Sequence, residues 1–112
     1  MAHRPSDPTS LAAIGERLAL TRRALGLTQV TISRLMGATS DGQAWGNYEA
    51  GRRRISVDHA NKLTANLGIT LDWIYQGQIM TLPPDLRERI QRLMAEDAGS
   101  RQSPPTTRRL RR

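Results

Sequence analysis

Leu11, Ile14, Leu18 and Leu25 recur at intervals of three, four and seven residues, the spacing of one face of an α-helix. Ser10 or Thr9 suits the start of this first helix and Gly26 its end, which predicts a helix over 11–25. Thr28 opens a second, shorter helix to about Met36, closed by Gly37. The stretch "ATSDG" is a loop in which Ser40 or Asp41 caps a third helix, about 42–50, stopped by Gly51. Ser56 caps a fourth helix over 57–67, with Ala60, Leu63 and Leu67 inward and Gly68 as its stop. Thr70 caps a fifth from Leu71 to Tyr75, closed by Gly77. Pro84 stands in the first turn of a sixth, which carries Leu86, Ile90, Leu93 and Met94 as a stripe and runs to about Asp97. No stretch alternates as a strand does, and nothing repeats. The expected fold is all-α. A five-helix domain spans 11–77, an additional helix lies within 78–97, and both ends are expected to be disordered: a leader, 1–10, and an Arg-rich tail, 98–112.

Composition narrows this picture. A chain of 112 residues supports one modest core. Its aromatics are Trp45, Tyr48, Trp73 and Tyr75, so each is expected to anchor packing. The absence of cysteine excludes disulfides, thiolate zinc sites and a cysteine nucleophile. The leader "MAHRPSDPTS" lacks the apolar core of a signal peptide, and no run approaches about 18 apolar residues, so a cytoplasmic protein without a membrane span is expected. The net charge of +7 and the pI of about 11.4 favour nucleic acid, or less often a membrane surface, as partner. That charge is uneven: residues 11–77 hold eight Lys/Arg against five Asp/Glu, whereas 98–112 hold five Arg and no acid.

The third helix shows two contrasting sides. At about 100° per residue, Asn47, Ala50 and Gly46 fall within about 60° of Gln43, while Trp45 and Tyr48 lie opposite. The aromatics are expected to seat the helix and the amides to face outward. Gln and Asn can each donate to and accept from an adenine edge together, and Gly46 and Ala50 leave room for close approach to a base or a thymine methyl. The same residues would also suit an ordinary solvated face. Directly after this helix stand Arg52, Arg53 and Arg54, whose mutual repulsion phosphate oxygens would relieve. Arg22 falls on the apolar side of the first helix, where a guanidinium needs a carboxylate. Glu49, at the border of the buried side of helix three, is its expected partner in a structural ion pair.

With these residues placed, the chain resembles the Xre/phage-repressor class of helix-turn-helix DNA-binding proteins. The matching stretches are "IGERLALTRRALGLTQVTISRLMG" and "QAWGNYEAGRRRISVDHANKLTANLGITLDWIYQG", within Ile14 to Gly77, 64 of the 112 residues. The motifs are "GLTQ" at the start of helix two, the Gly37 turn, Tyr48-Glu49-x-Gly51 and the closing "LGITLDWIY". The resemblance implies a lambda-repressor-like fold and roles position by position. Gln29, beside Thr28, is similar to the family glutamine that binds phosphate; Gln43, Gly46 and Asn47 match outward recognition positions. Arg22 and Glu49 match an internal ion pair, and Ser33 the small residue where the two helices cross. Relative to the family, "ATSDGQAW" carries an insertion of about two residues. It either lengthens the inter-helix turn and leaves the recognition face intact or shifts which residue enters the groove first, and it brings in Asp41, which phosphate would repel.

These observations together predict a sequence-specific regulator of transcription, a dimeric repressor on double-stranded DNA with a palindromic operator. Gln43, Ala44, Gly46 and Asn47 are its expected base contacts. Thr28, Gln29, Arg23, Arg52, Arg53 and Arg54 are its expected phosphate contacts. The sixth-helix stripe, with Ile79 and Leu82, is the candidate dimer surface; the alternative is that it packs on its own domain. A second functional reading is an antitoxin-like module whose main partner is another protein. His3 lies in the leader and His59 is expected on the outer side of helix four, away from paired carboxylates or a glycine-rich phosphate loop. No enzyme activity, metal or cofactor is therefore expected, and the resemblance implies a bacterial or phage setting at the nucleoid.

Overall fold

Four helices begin with the same local device. In a computed structural model, which describes residues 7–38 and 41–102, Ser10, Thr28, Ser56 and Thr70 each accept the backbone N–H three residues ahead, all at 3.1 Å. Each such cap contributes about 1 kcal/mol. The helices they open are α1 (Leu11–Leu25), α2 (Gln29–Leu35), α4 (Val57–Leu67) and α5 (Leu71–Gln76). The remaining two are α3 (Gln43–Glu49) and α6 (Pro84–Gln102), with a single 3₁₀ turn at Ile79–Thr81 that periodicity did not reveal. No strand occurs among the described residues, so the fold is all-α as expected.

The start of α3 departs from expectation. Its cap is Gly42, at φ 77° and without a side-chain bond, while Asp41 Oδ1 accepts the Gln43 N–H at 3.0 Å from one position earlier. Ser40, the other candidate, lies outside the described residues. The backbone at Gly42 favours glycine, and the neighbouring α2 lies close. The left-handed conformation disfavours other residues, and a Cβ would come within 3.4 Å of the Gln29 carbonyl carbon and Val30 nitrogen, where the chain crosses the first turn of α2.

The α1 helix is central, packing against α3, α5 and α6; α2 packs against α3 and α4. The helices α2, α3 and α5 have seven residues or fewer and would not persist alone, so their geometry comes from the shared core. Ile14, Leu18, Ile32, Met36, Trp45 and Leu63 are almost fully buried within it. Trp73 donates its indole N–H to Thr21 Oγ1 at 2.9 Å, and that hydroxyl donates to the Arg17 carbonyl at 2.6 Å. Arg17 donates to the Ile74 carbonyl through Nε (3.2 Å) and Nη2 (2.8 Å), capping α5 from α1. Its burial lowers the guanidinium pKa below the usual arginine value. Tyr75 donates to the Ile55 carbonyl at 2.7 Å, and burial pushes its phenol pKa up.

The sixth helix corrects two expectations. Leu82, Leu86 and Ile90 are buried in this domain's own core, and Ile79 and Leu93 are half-buried. Most of the candidate dimer surface is thus occupied within one chain, and Met94 alone of the stripe is exposed, at 45%. The helix also continues to Gln102 instead of ending near Asp97, so residues 98–102 of the expected tail are helical. One glycine, Gly99, does not stop a helix rich in strong formers, which runs to the last described residue, Gln102. At the other end, part of the expected leader is ordered. Asp7 Oδ1 accepts from the Thr9 N–H (2.9 Å) and hydroxyl (2.7 Å), and those bonds lower its carboxyl pKa. Residues 1–6 and 103–112 lie outside the described residues.

Gly15 is the most tightly enclosed of the described glycines. A Cβ there would stand 2.5 Å from the Glu49 carbonyl oxygen and 2.8 Å from that of Tyr48. Gly15→Ala should therefore lose about 2 kcal/mol despite its better helix propensity, lowering the melting temperature by on the order of 10 °C. Thermal unfolding followed by circular dichroism checks this, and a melting point at or above that of the parent chain would contradict so close a crossing.

Candidate nucleic-acid interface

The sequence of α3 sorts cleanly onto two sides. Trp45 is fully buried and Tyr48 is 7% exposed, whereas Gln43 and Ala50 are exposed and Gly46 and Asn47 half-buried. Gln43, Gly46, Asn47 and Ala50, with Gln29 of α2 and Arg52, line one open depression, and Asp41 stands at its edge. The side chains of Gln43 and Asn47 have no partner among the described residues. The Asn47 carbonyl accepts the backbone N–H groups of Arg52 (3.0 Å) and Arg53 (3.4 Å), folding the arginine run back against the end of α3.

Not every expected contact faces this depression. Ala44 is half-buried against the core cluster, so it turns partly away from the amide face. Arg23 reaches Asp97 of α6 at 3.4 Å and is directed to that helix. Arg54 donates to the Thr9 carbonyl at 2.7 Å and ties down the residues before α1. Thr28 accepts from the Thr31 N–H and bonds the Thr31 hydroxyl at 3.0 Å, so its oxygen serves the cap. Arg52 and Arg53 are exposed and have no side-chain partner among the described residues. They are the cations of the run left to face an anion.

Beneath the depression, the expected ion pair is present and larger than expected. Arg22 Nε lies 2.5 Å from Glu49 Oε2 and Arg22 Nη2 3.4 Å from Oε1, with the two side chains 21% and 11% exposed. Arg22 Nη1 also donates to the Leu27 carbonyl at 3.1 Å. Two further donors converge on the same carboxylate: Gln29 Nε2 at 3.1 Å and the Trp45 indole N–H. The Trp45–Glu49 bond was accessible to sequence reasoning, because residues four apart are neighbours on a helix. Gln29 was not, since its bond depends on how α2 crosses α3. Ser33 is fully buried, as its small size suggested.

His59 differs from its expected place on the outer side of α4. It is half-buried, with Nδ1 2.9 Å from the Tyr48 hydroxyl and the two rings edge to face at 5.9 Å. Its role is to fasten α4 to the buried side of α3. Among the described residues no group of His, Asp or Glu could hold a metal ion, and no helix is long and apolar enough to cross a membrane. Comparisons with protein-family models, with curated proteins and with solved structures find no match.

The carboxylate's removal should leave a half-buried guanidinium unpaired. Glu49→Leu is expected to cost about 2–4 kcal/mol in urea unfolding. Adding Arg22→Met should recover part of that loss, with a remainder of about 1–3 kcal/mol because the Trp45 indole N–H still lacks its acceptor. Equal stability of Glu49→Leu and the parent chain would show that the cluster does not hold α3.

Proposed function

We propose that this chain is a sequence-specific, double-stranded DNA-binding regulator of transcription, built in a lambda-repressor-like arrangement and acting most simply by occluding a promoter. The observation that carries this is the two-sided α3: a fully buried Trp45 opposite an open face bearing Gln43 and Asn47, with two unpartnered arginines at its end. An α-helix about 10–12 Å across fits a major groove of about 12 Å. Gln43 and Asn47, one turn apart, offer paired donors and acceptors to base edges, of which an adenine N6/N7 pair is the natural match. Arg52 and Arg53 supply phosphate contacts that set register.

So small a reading surface spans few base pairs. Useful affinity therefore calls for two copies on a palindromic site. With Leu82, Leu86 and Ile90 committed to the core, the pairing surface on α6 is what they leave, around Leu93, Met94 and the helix's outer side. Such a regulator works in the cytoplasm, at the nucleoid of a bacterium or on phage DNA.

Selection from a random duplex pool tests this. A recovered inverted repeat is expected, with affinity falling as salt rises at a log–log slope of about −0.9 per phosphate contacted. Salt-independent binding would contradict the proposal. Asn47→Ala should erase preference at one position per half-site, a loss of about 1–3 kcal/mol if a bidentate contact is removed. Arg53→Ala, by contrast, should weaken all duplexes alike and shallow the salt slope. An unchanged preference in Asn47→Ala would show that another face reads the bases.

A further inference from the structure

The orientation of the Gln29 amide is fixed by chemistry. A carboxylate in an ion pair offers only lone pairs, so the Gln29 atom 3.1 Å from Glu49 Oε1 has to be the amide nitrogen. The amide oxygen then points the other way. It lies 3.8 Å from where a Cβ on Gly46 would stand, the nearest atom to that point, in the depression it shares with Gln43 and Asn47. Gly46 is not needed for the backbone, because its φ is not positive. A methyl there would meet Gln29 Oε1 at ordinary van der Waals distance and would improve helix propensity. What it would narrow is the approach to that oxygen from the Gly46 side.

We infer that Gln29 Oε1, reached through the gap at Gly46, is a base-reading acceptor for an exocyclic amino group, N6 of adenine or N4 of cytosine. The inference rests on the major-groove docking proposed above. Those two amino groups are the donors on the major-groove edges, and every base pair carries one of them on one strand. An acceptor at this point therefore selects which strand bears the amino base. Donation from Nε2 to the Glu49 carboxylate polarises the amide and strengthens Oε1 as an acceptor. The second hydrogen on Nε2 stays available to a phosphate, so the role expected from the sequence and the base contact coexist in one side chain.

The test compares the full chain with Gln29→Met and Gly46→Ala. Sequence preference is read by selection from random duplexes, affinities on duplexes altered at single positions, and folding by thermal unfolding. The parent chain should prefer an amino base on a given strand, at one position per half-site, by roughly two- to tenfold, the worth of one hydrogen bond. Both variants should lose preference at that same position while the positions that respond to Gln43 and Asn47 substitutions keep theirs. Gly46→Ala should melt no lower than the parent chain, so it carries the test even where Gln29→Met folds poorly. The inference is overturned if Gln29→Met weakens every duplex by one common factor, or if Gly46→Ala keeps the full preference. A parent chain that binds no duplex, or binds all alike, fells the DNA-binding proposal as well, and does so before any variant is compared.

Discussion

Glu49 closes α3 and receives hydrogen bonds from three helices: Arg22 on α1, Gln29 on α2, and Trp45 one turn back on α3 itself. A carboxylate 11% exposed loses much of its hydration, and only full occupation of its lone pairs makes that position tolerable. The demand runs in both directions, because Arg22 and the fully buried Trp45 indole have no better acceptor. Seven residues cannot hold themselves as a helix, so α3 owes its orientation to this cluster and to the packing around it. Gly15 and Arg22 stand seven apart on one face of α1. The first receives the backbone of Glu49 and the second its side chain.

This explains which features were legible in the sequence. Bounds of α1 and α4 follow from local signals: a hydroxyl cap, a 3-4-7 stripe and a left-handed glycine, all within reach of one short segment. The Arg22–Glu49 pair was legible because a charge on an apolar face has to be answered by an opposite charge. Long-range partners were not. Periodicity states that Leu86 and Ile90 face something apolar, but a core and a second copy satisfy it equally, and only the packing of α6 on α1 decides between them. His59 looked peripheral because its bond to Tyr48 joins two helices whose relative placement no local pattern encodes. The cap of α3 was hidden too: a left-handed Gly42, at φ 77°, stands where a capping side chain was expected.

Net charge proved a poor guide to presented charge. The chain carries 17 Lys and Arg for a net charge of +7, yet several of the cations near α3 are consumed internally. Arg22 neutralises Glu49, Arg23 meets Asp97, Arg17 caps α5 and Arg54 holds Thr9. A cation engaged within the chain has to give up that partner before it can meet a phosphate. Arg52 and Arg53 remain, adjacent in sequence and placed by the Asn47 carbonyl at the end of the amide face. In the proposed docking, two unpaired charges at one end of the amide face would set the position of the helix against phosphates.

Gly15 inside α1 and Gly46 inside α3 sharpen the contrast between what folding needs and what it does not. Each costs about 1 kcal/mol against alanine. At Gly15 the cost is offset within the chain, since only a hydrogen fits between the α1 backbone and the carbonyl oxygens of Tyr48 and Glu49. Gly46 has no such internal return: a methyl would meet one amide oxygen at 3.8 Å and strain nothing. Gly99, in the last turn of α6, also meets no neighbour, but a helix end frays and the cost there is small. Gly46 sits mid-helix on the open face, between the two free amides. In the docking proposed above, the gap it leaves would admit the flat edge of a base.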